Sequence, residues 1–386
     1  RKSLVKKYNK FLFIRFKKMK NFCLACKSNN VIKLNISKKT CITTDGNILK
    51  KQLNKVQCFN CGLFYNPNPV KMNYYHRSSG NSKWDIQRHK DIAKNISELI
   101  KRTIFSNNKI LALEIGGGNY LTSHFLSKFN KKVSITCIEP YPENKPPKSK
   151  AEFLKVKIED YLPKKNFDFI FSNNVIEHST NPEKYIKKID KLLNEKGLIL
   201  VCCPTQTKIT NETLFIDHNY HFSEQSLGII ANKVGLVIYK QFISSWDPFT
   251  HCYFLKKRKK QKKIKNQISP KTAIKFRKRI IEIYRRLDDQ ILNKLQNFKD
   301  RIYLFGAGEL SQLIRCYAPK FFKRLDSIVV SDKNGTRLFN KKIQLISDVA
   351  PNSGAIVIGV KNNSALKVSN NLRNLGWNKK NIIKIN

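Results

Sequence analysis

Residues 111–126 read LALEIGGGNYLTSHFL: an apolar run with an acid near its end, three consecutive glycines, then an amphipathic stretch. The apolar run has the length of a buried strand, and the residues after the glycines have helical spacing. Gly116, Gly117 and Gly118 let a ligand approach the backbone closely, at a helix N-terminus whose amides are free to receive it. A turn of this kind can hold a dinucleotide, a phosphate or S-adenosylmethionine. The strict G-x-G-x-x-G spacing of dinucleotide sites fails, because Leu121 stands where the third glycine would be.

Outward from this turn, short apolar runs alternate with helical patterns. ILALEIG is followed by a helix over 120–129, VSITCIEP, a short FLKVKI, FDFIFSN, a helix across 182–194 and GLILVCCP. That alternation predicts a parallel sheet covered on both faces, a doubly wound α/β fold. An amphipathic helix over 85–105 leads into it. The second strand ends at Glu139, 25 residues after Glu114. A carboxylate at that strand tip can accept both ribose hydroxyls of a nucleoside; otherwise it is an ordinary loop acid.

Upstream, Cys23-x-x-Cys26 and Cys58-x-x-Cys61 form two knuckles. A two-residue gap brings both thiolates of one turn to a single ion, and two such turns complete a tetrahedral structural zinc site with no open position. The 31 intervening residues include Cys41 as a spare. Ten cysteines in 386 residues are too sparse for a secreted disulfide scaffold. With 41% hydrophobic residues the chain has material for more than one core.

The formal charge of +48 would suit RNA or an acidic surface, although biased lysine usage explains much of it. Residues 1–44 contain no acid, and 256–281 hold thirteen Lys or Arg without one. Such runs are usually linkers or tails. Met19 is the first methionine, so residues 1–18 could be an upstream extension. No apolar segment is long enough to span a bilayer, and none has a signal-peptide cleavage pattern. The expectation is a soluble, cytoplasmic protein with no membrane span. Beyond the basic run, a helical pattern near 272–298 precedes a second glycine turn, LFGAG at 304–308. DSIVVSD, SGAIVIGV and NIIKIN then complete a second α/β unit.

The stretch FDFIFSNNVIEHSTNPEKYIKKIDKLLNEKGLILVCCP, residues 167–204, resembles the class I S-adenosylmethionine-dependent methyltransferases. The likeness covers about 109–240. It implies that Glu114, Gly116, Gly117 and Gly118 line the methionine portion of the cofactor, that Glu139 holds its ribose and that Asn173 touches it. It also implies that Ile158 and Glu159 flank the adenine. Tyr120 sits where that family often has a third glycine, and Lys157 replaces a frequent acid.

A wider likeness, from the zinc knuckles through CGLFYNPNP to the C-terminal α/β unit, is to the bacterial zinc-containing sugar C-methyltransferases. These act on nucleotide-linked keto-deoxysugars. Their proton-abstracting loop is matched by FIDHNYHFSEQSL, with His218 as the base; Phe215, Ile216 and His221 depart from the pattern. Histidine suits a base of near-neutral pKa, and His221 and His178 are further candidates. In a plainer reading this loop only orders the next helix, with Ser223 as N-cap.

The resemblance implies a methyltransferase acting on a small polar acceptor, a nucleotide-linked sugar, by C- or O-methylation. The alternatives are an RNA methyltransferase and a non-catalytic protein retaining the fold. The second glycine turn, with Gly306, Gly308 and Asp332, could bind the substrate nucleotide or simply join strand to helix. The expected organisation is a basic extension at 1–20, a zinc-binding module at 21–80 and the class I domain at 85–255. A basic linker and helix at 256–298 then lead to a Rossmann-like C-terminal domain at 299–386.

Overall fold

The computed structural model describes residues 22–71, 83–104, 109–142, 144–258, 264–332, 337–360 and 362–385. The basic extension at 1–20 lies outside these, as do 259–263 of the basic run.

A seven-stranded sheet forms the centre. Its order is Leu236–Ile243, Thr250–Lys257, Leu193–Pro204, Phe167–Asn173, Ile110–Ile115, Val133–Ile138, Glu152–Leu154. All neighbours are parallel except Thr250–Lys257, which runs antiparallel to both of its partners. The apolar character of these strands follows from their burial on both faces. Phe169 and Phe171 point to one side with Ile92, Ala93, Ile96 and Ile100 of the Lys83–Thr103 helix, whose spacing places these four residues on one helical face. Ile170 points to the other side, with Ile186 and Ile189 of the Pro182–Leu192 helix. Chain order reverses between Ile110–Ile115 and Phe167–Asn173. This is the switch point at which open α/β sheets bind ligands, outside the carboxyl ends of the strands.

The N-terminal segment forms a four-stranded antiparallel sheet whose last member comes from elsewhere in the chain. Val31–Ser37 pairs with Leu53–Cys58, which pairs with Phe64–Tyr65, which in turn pairs with Tyr220–His221. The C-terminal segment forms a six-stranded sheet, parallel except for the edge strand Arg337–Leu338.

The expected helix over 272–298 is two helices, Pro270–Arg285 and Leu287–Lys294, parted at Arg286. Of FLKVKI only Phe153 and Leu154 are in a strand, Glu152–Leu154. Leu34, Leu53 and Phe64 of the N-terminal sheet share one core with Phe215 and Ile216, with Ile274 and Ile281 of the Pro270–Arg285 helix, and with Ile302 and Leu304 of the C-terminal sheet. Burying each such side chain contributes about 1.5–3 kcal/mol, so this core joins the N-terminal and C-terminal sheets and the 214–216 segment. Among the described residues no helix is long and apolar enough to cross a membrane.

Candidate active site

At the switch point, Gly116 and Gly118 adopt φ of 77° and 55°, and Tyr120 follows at 65°. A Cβ at Gly117 would lie 2.1 Å from Cys137 Sγ, whereas one at Gly118 would meet nothing within 4 Å. Gly117 is therefore required by packing, and Gly118 faces open space. Beneath the turn, Glu114 is buried and accepts a hydrogen bond from Ser123 Oγ. Burial pushes its carboxyl up to about 7, against the opposing donation from Ser123.

Glu139, at the tip of the next strand, accepts Gly118 N–H on Oε2 and Tyr141 N–H on Oε1, both at 2.9 Å. Tyr120, in the left-handed region that disfavours side chains, is held by burial and by a ring contact to Phe153 at 4.8 Å. Asn173 ends the fourth strand of this chain segment, and its Oδ1 is buried without a hydrogen-bond partner among the described residues. Ile158 is buried and Glu159 exposed, in the turns that follow Glu152–Leu154. An open glycine, a strand-tip carboxylate and an orphaned amide oxygen fit the hydroxyls and amino group of an aminoacyl nucleoside such as S-adenosylmethionine.

Beside this cradle stand three histidines. His178 ends the short helical turn after Asn173, and its ring meets that of His218 nearly edge-on, with centroids 4.7 Å apart at 89°. His178 Nδ1–H donates to the Asp217 carbonyl at 3.0 Å. His218 Nδ1 lies 2.8 Å from Glu212 Oε2. His221 lies 5.9 Å further on, ring to ring. Its Nε2 is engaged with Lys55 Nζ at 2.9 Å, and burial, followed by the Lys55 charge, pushes its pKa well below the usual histidine value.

The loop that carries His218 and His221 is gripped by the N-terminal segment. Tyr220 pairs with Tyr65 and His221 with Phe64. Asp217 receives Thr44 N–H at 3.0 Å and Thr44 O–H at 2.5 Å. Asn219 receives Val70 N–H at 2.7 Å and donates to the carbonyls of Val70 and His178 at 2.9 and 3.0 Å. Ser223 caps the Glu224–Asn232 helix and donates to the Cys61 carbonyl at 2.5 Å. Phe215 and Ile216 are each 1% exposed in the shared core, so apolar side chains there lock the loop in place.

Cys23, Cys26, Cys58 and Cys61 converge, with Cys23 to Cys61 at 3.5 Å and Cys26 to Cys58 at 3.6 Å between sulfurs. A tetrahedral zinc with Zn–S of about 2.3 Å needs sulfurs roughly 3.8 Å apart, so the four thiols fit that ion. Cys41, the spare, lies apart in the shared core. A second group, Glu177, His178 and His218, also offers three ligand atoms within 4.8 Å of one another.

The second glycine turn lies elsewhere. Gly306, at φ 105°, packs against Gly359 and Val360, whereas Gly308 faces open space as N-cap of the Glu309–Tyr317 helix. Asp332 is exposed after the neighbouring strand. The helix leans on the N-terminal segment, where Arg315 donates to the Gly46 carbonyl.

Lys55, Glu212, Asp217, Asn219, Gln206 and Arg277 do not stand out in the sequence. Lys55 sits in the mixed strand LNKVQC with nothing to mark it, and Arg277 is hidden in a basic run.

Residues 84–241 match the family described as a methyltransferase domain. The malonyl-[acyl-carrier protein] O-methyltransferase of Priestia megaterium (strain DSM 319 / IMG 1521) is 24% identical over 264 residues, 64% of this chain and 87% of that protein. A ubiquinone biosynthesis O-methyltransferase of Rickettsia bellii (strain OSU 85-389) is 24% identical over 155 residues, 38% of this chain, and the chain spans only 55% of that relative's length. Among solved structures, the plantazolicin methyltransferase BpumL in complex with SAH is 16% identical over 46% of this chain and 87% of its own, with a TM-score of 0.37.

Proposed function

Starting from a chain that is an S-adenosylmethionine-dependent methyltransferase, we propose that it methylates a carbon or oxygen of a small polar acceptor, a nucleotide-linked sugar, with His218 as the base. The observation that carries this reading is the 2.8 Å contact between Glu212 and His218, a carboxylate-oriented imidazole beside the donor cradle at the carboxyl edge of the sheet.

S-adenosylmethionine, when bound, supplies an electrophilic methyl on sulfur. Gly118, Glu139 and Asn173 would hold its polar groups, with Glu114 shaping the floor beneath the turn. His218 Nε2 takes the proton from the acceptor O–H or acidified C–H as the acceptor's electron pair forms the new bond to the methyl carbon. The donor held by Gly118, Glu139 and Asn173 would supply that methyl carbon and be left as a neutral thioether. Glu212, beside Nδ1, orients the imidazole and stabilises the imidazolium that forms. His178 flanks His218 as a positioning residue. His221 serves to hold the loop, since Lys55 occupies its accepting nitrogen.

Supporting a nucleotide-linked sugar are the loop DHNYHFS at 217–223, the paired cysteine knuckles and the second glycine turn with Gly306, Gly308 and Asp332. The names of the two O-methyltransferases above support a small molecule carrying an acceptor oxygen. We assign a structural zinc to Cys23, Cys26, Cys58 and Cys61. In this reading 21–80 is the zinc-binding module, 85–255 the methyl-transfer domain, 256–298 a connecting segment and 299–386 a Rossmann-like substrate domain.

The test is transfer of labelled methyl from S-adenosylmethionine, with nucleotide-sugar pools and total RNA offered in parallel. Label in the nucleotide-sugar fraction is expected. Label in RNA alone would replace this acceptor with a polyanion, as the net charge of +48 would suit.

A further inference from the structure

Arg277 sits on the Pro270–Arg285 helix and is 1% exposed. Its Nη1 donates to Gln57 Oε1 at 2.6 Å, its Nη2 donates to Gln206 Oε1, and its guanidinium lies 4.2 Å above the centre of the Phe64 ring. Two features of this arrangement are incomplete. Nε of Arg277 and Nε2 of Gln206 are both buried without a hydrogen-bond partner among the described residues. Both residues line one cleft, which also includes Thr205, Thr210, Glu212 and His221.

The charge is incomplete too. No carboxylate among the described residues forms an ion pair with Arg277, and a second buried basic group, Lys55, pushed down to about 7 by burial, lies 5.7 Å from the same Phe64 ring. Burial alone pushes Arg277 down to about 9. A buried, unpaired charge is costly, and an apolar residue of similar size in its place would usually be as stable or more so. Guanidinium is also the side chain best suited to planar, two-point recognition of carboxylate and phosphate. The cleft has a free volume of about 10 Å³, room for a single ligand oxygen, and it reaches Glu212, which lies beside His218.

We propose that Arg277, with Gln206, is the seat of an anionic oxygen group of the methyl acceptor, a phosphate or a carboxylate. This rests on the transferase reading above and deepens it, because it makes a negative charge on the acceptor the specificity determinant. Arg277 Nε–H and the second N–H of Gln206 are satisfied by that group, and the acceptor is registered on the Glu212–His218 pair.

The experiment uses the full chain in its metal-loaded form at constant ionic strength. Binding of inorganic phosphate and of acetate is measured by titration calorimetry for wild type, R277M and Q206L. S-adenosylhomocysteine is titrated separately as a readout of the donor site. In wild type one of the two anions is expected to bind, and R277M to weaken it at least tenfold while S-adenosylhomocysteine binding is kept. Preference for phosphate identifies a phosphorylated acceptor; preference for acetate identifies a carboxylate.

Anion affinity unchanged in R277M, or no anion binding in wild type, overturns the proposal. If R277M fails to fold, Q206L decides: severalfold weaker anion binding supports the seat, and unaltered binding removes it. Loss of S-adenosylhomocysteine binding in wild type would instead defeat the transferase reading and leave the anion result standing.

Discussion

The Glu212 carboxylate lies 2.8 Å from Nδ1 of His218, and those two residues stand on a loop that a different part of the chain holds in place. General-base assistance contributes on the order of 10²–10⁴ in rate. H218A should therefore lower kcat by about that factor, and E212Q by about 10–100-fold, with S-adenosylhomocysteine affinity unchanged in both. Steady-state turnover with paired calorimetry checks this; full turnover in H218A would remove the imidazole from the chemistry.

Glu139 carries a different burden. Its carboxylate already receives Gly118 and Tyr141 amides, and the ribose hydroxyls would add to them. Hydrogen bonds to charged groups are worth about 1.5–3 kcal/mol. E139A should accordingly weaken S-adenosylhomocysteine binding roughly 10–100-fold. Equal affinities would mean that the strand tip does not hold the nucleoside.

The Glu114 carboxyl, raised from 4.5 to about 7 mainly by burial, gives a signed pH dependence. Between those values the folded chain binds a proton that the unfolded chain has released, so this group's contribution falls as pH rises through the window. The loss reaches roughly 3 kcal/mol above pH 7. E114Q should flatten that slope, becoming more stable than wild type at pH 8 but gaining nothing at pH 4. Urea denaturation at the two pH values measures the difference, and parallel curves would contradict the burial account.

Zinc removal should act at a distance. The cysteine cluster is joined to the histidine loop by the Cys61 carbonyl bonded to Ser223 and by Phe64–Tyr65 paired with Tyr220–His221. Metal analysis should find one zinc per chain. Chelation should abolish methyl transfer while S-adenosylhomocysteine still binds. Turnover surviving in the metal-free chain would show that the sheet holds the loop unaided.

The donor half of the site was legible in the sequence because it is local. Glu114, the glycines and Glu139 lie within one strand–helix–strand unit, and periodicity places such residues reliably. Paired cysteines were legible through spacing. The acceptor half was not: Lys55 and His221 are far apart in the chain, and nothing in either neighbourhood signals their contact. Arg277 was concealed for the opposite reason, since one buried guanidinium among thirteen basic residues at 256–281 looks like another solvated charge. The break at Arg286 was missed because apolar spacing continues across it, from Ile281 and Tyr284 to Leu287 and Ile291.

The strand Tyr220–His221, completed by residues from the N-terminal sheet, has a consequence for how this enzyme can diversify. In the proposed assignment, donor recognition is written in one contiguous passage, whereas acceptor recognition is a joint product of the Phe64 strand, the 204–223 loops and the Arg277 helix. A new acceptor therefore demands concerted substitutions in three separated passages, while the methyl donor stays the same throughout.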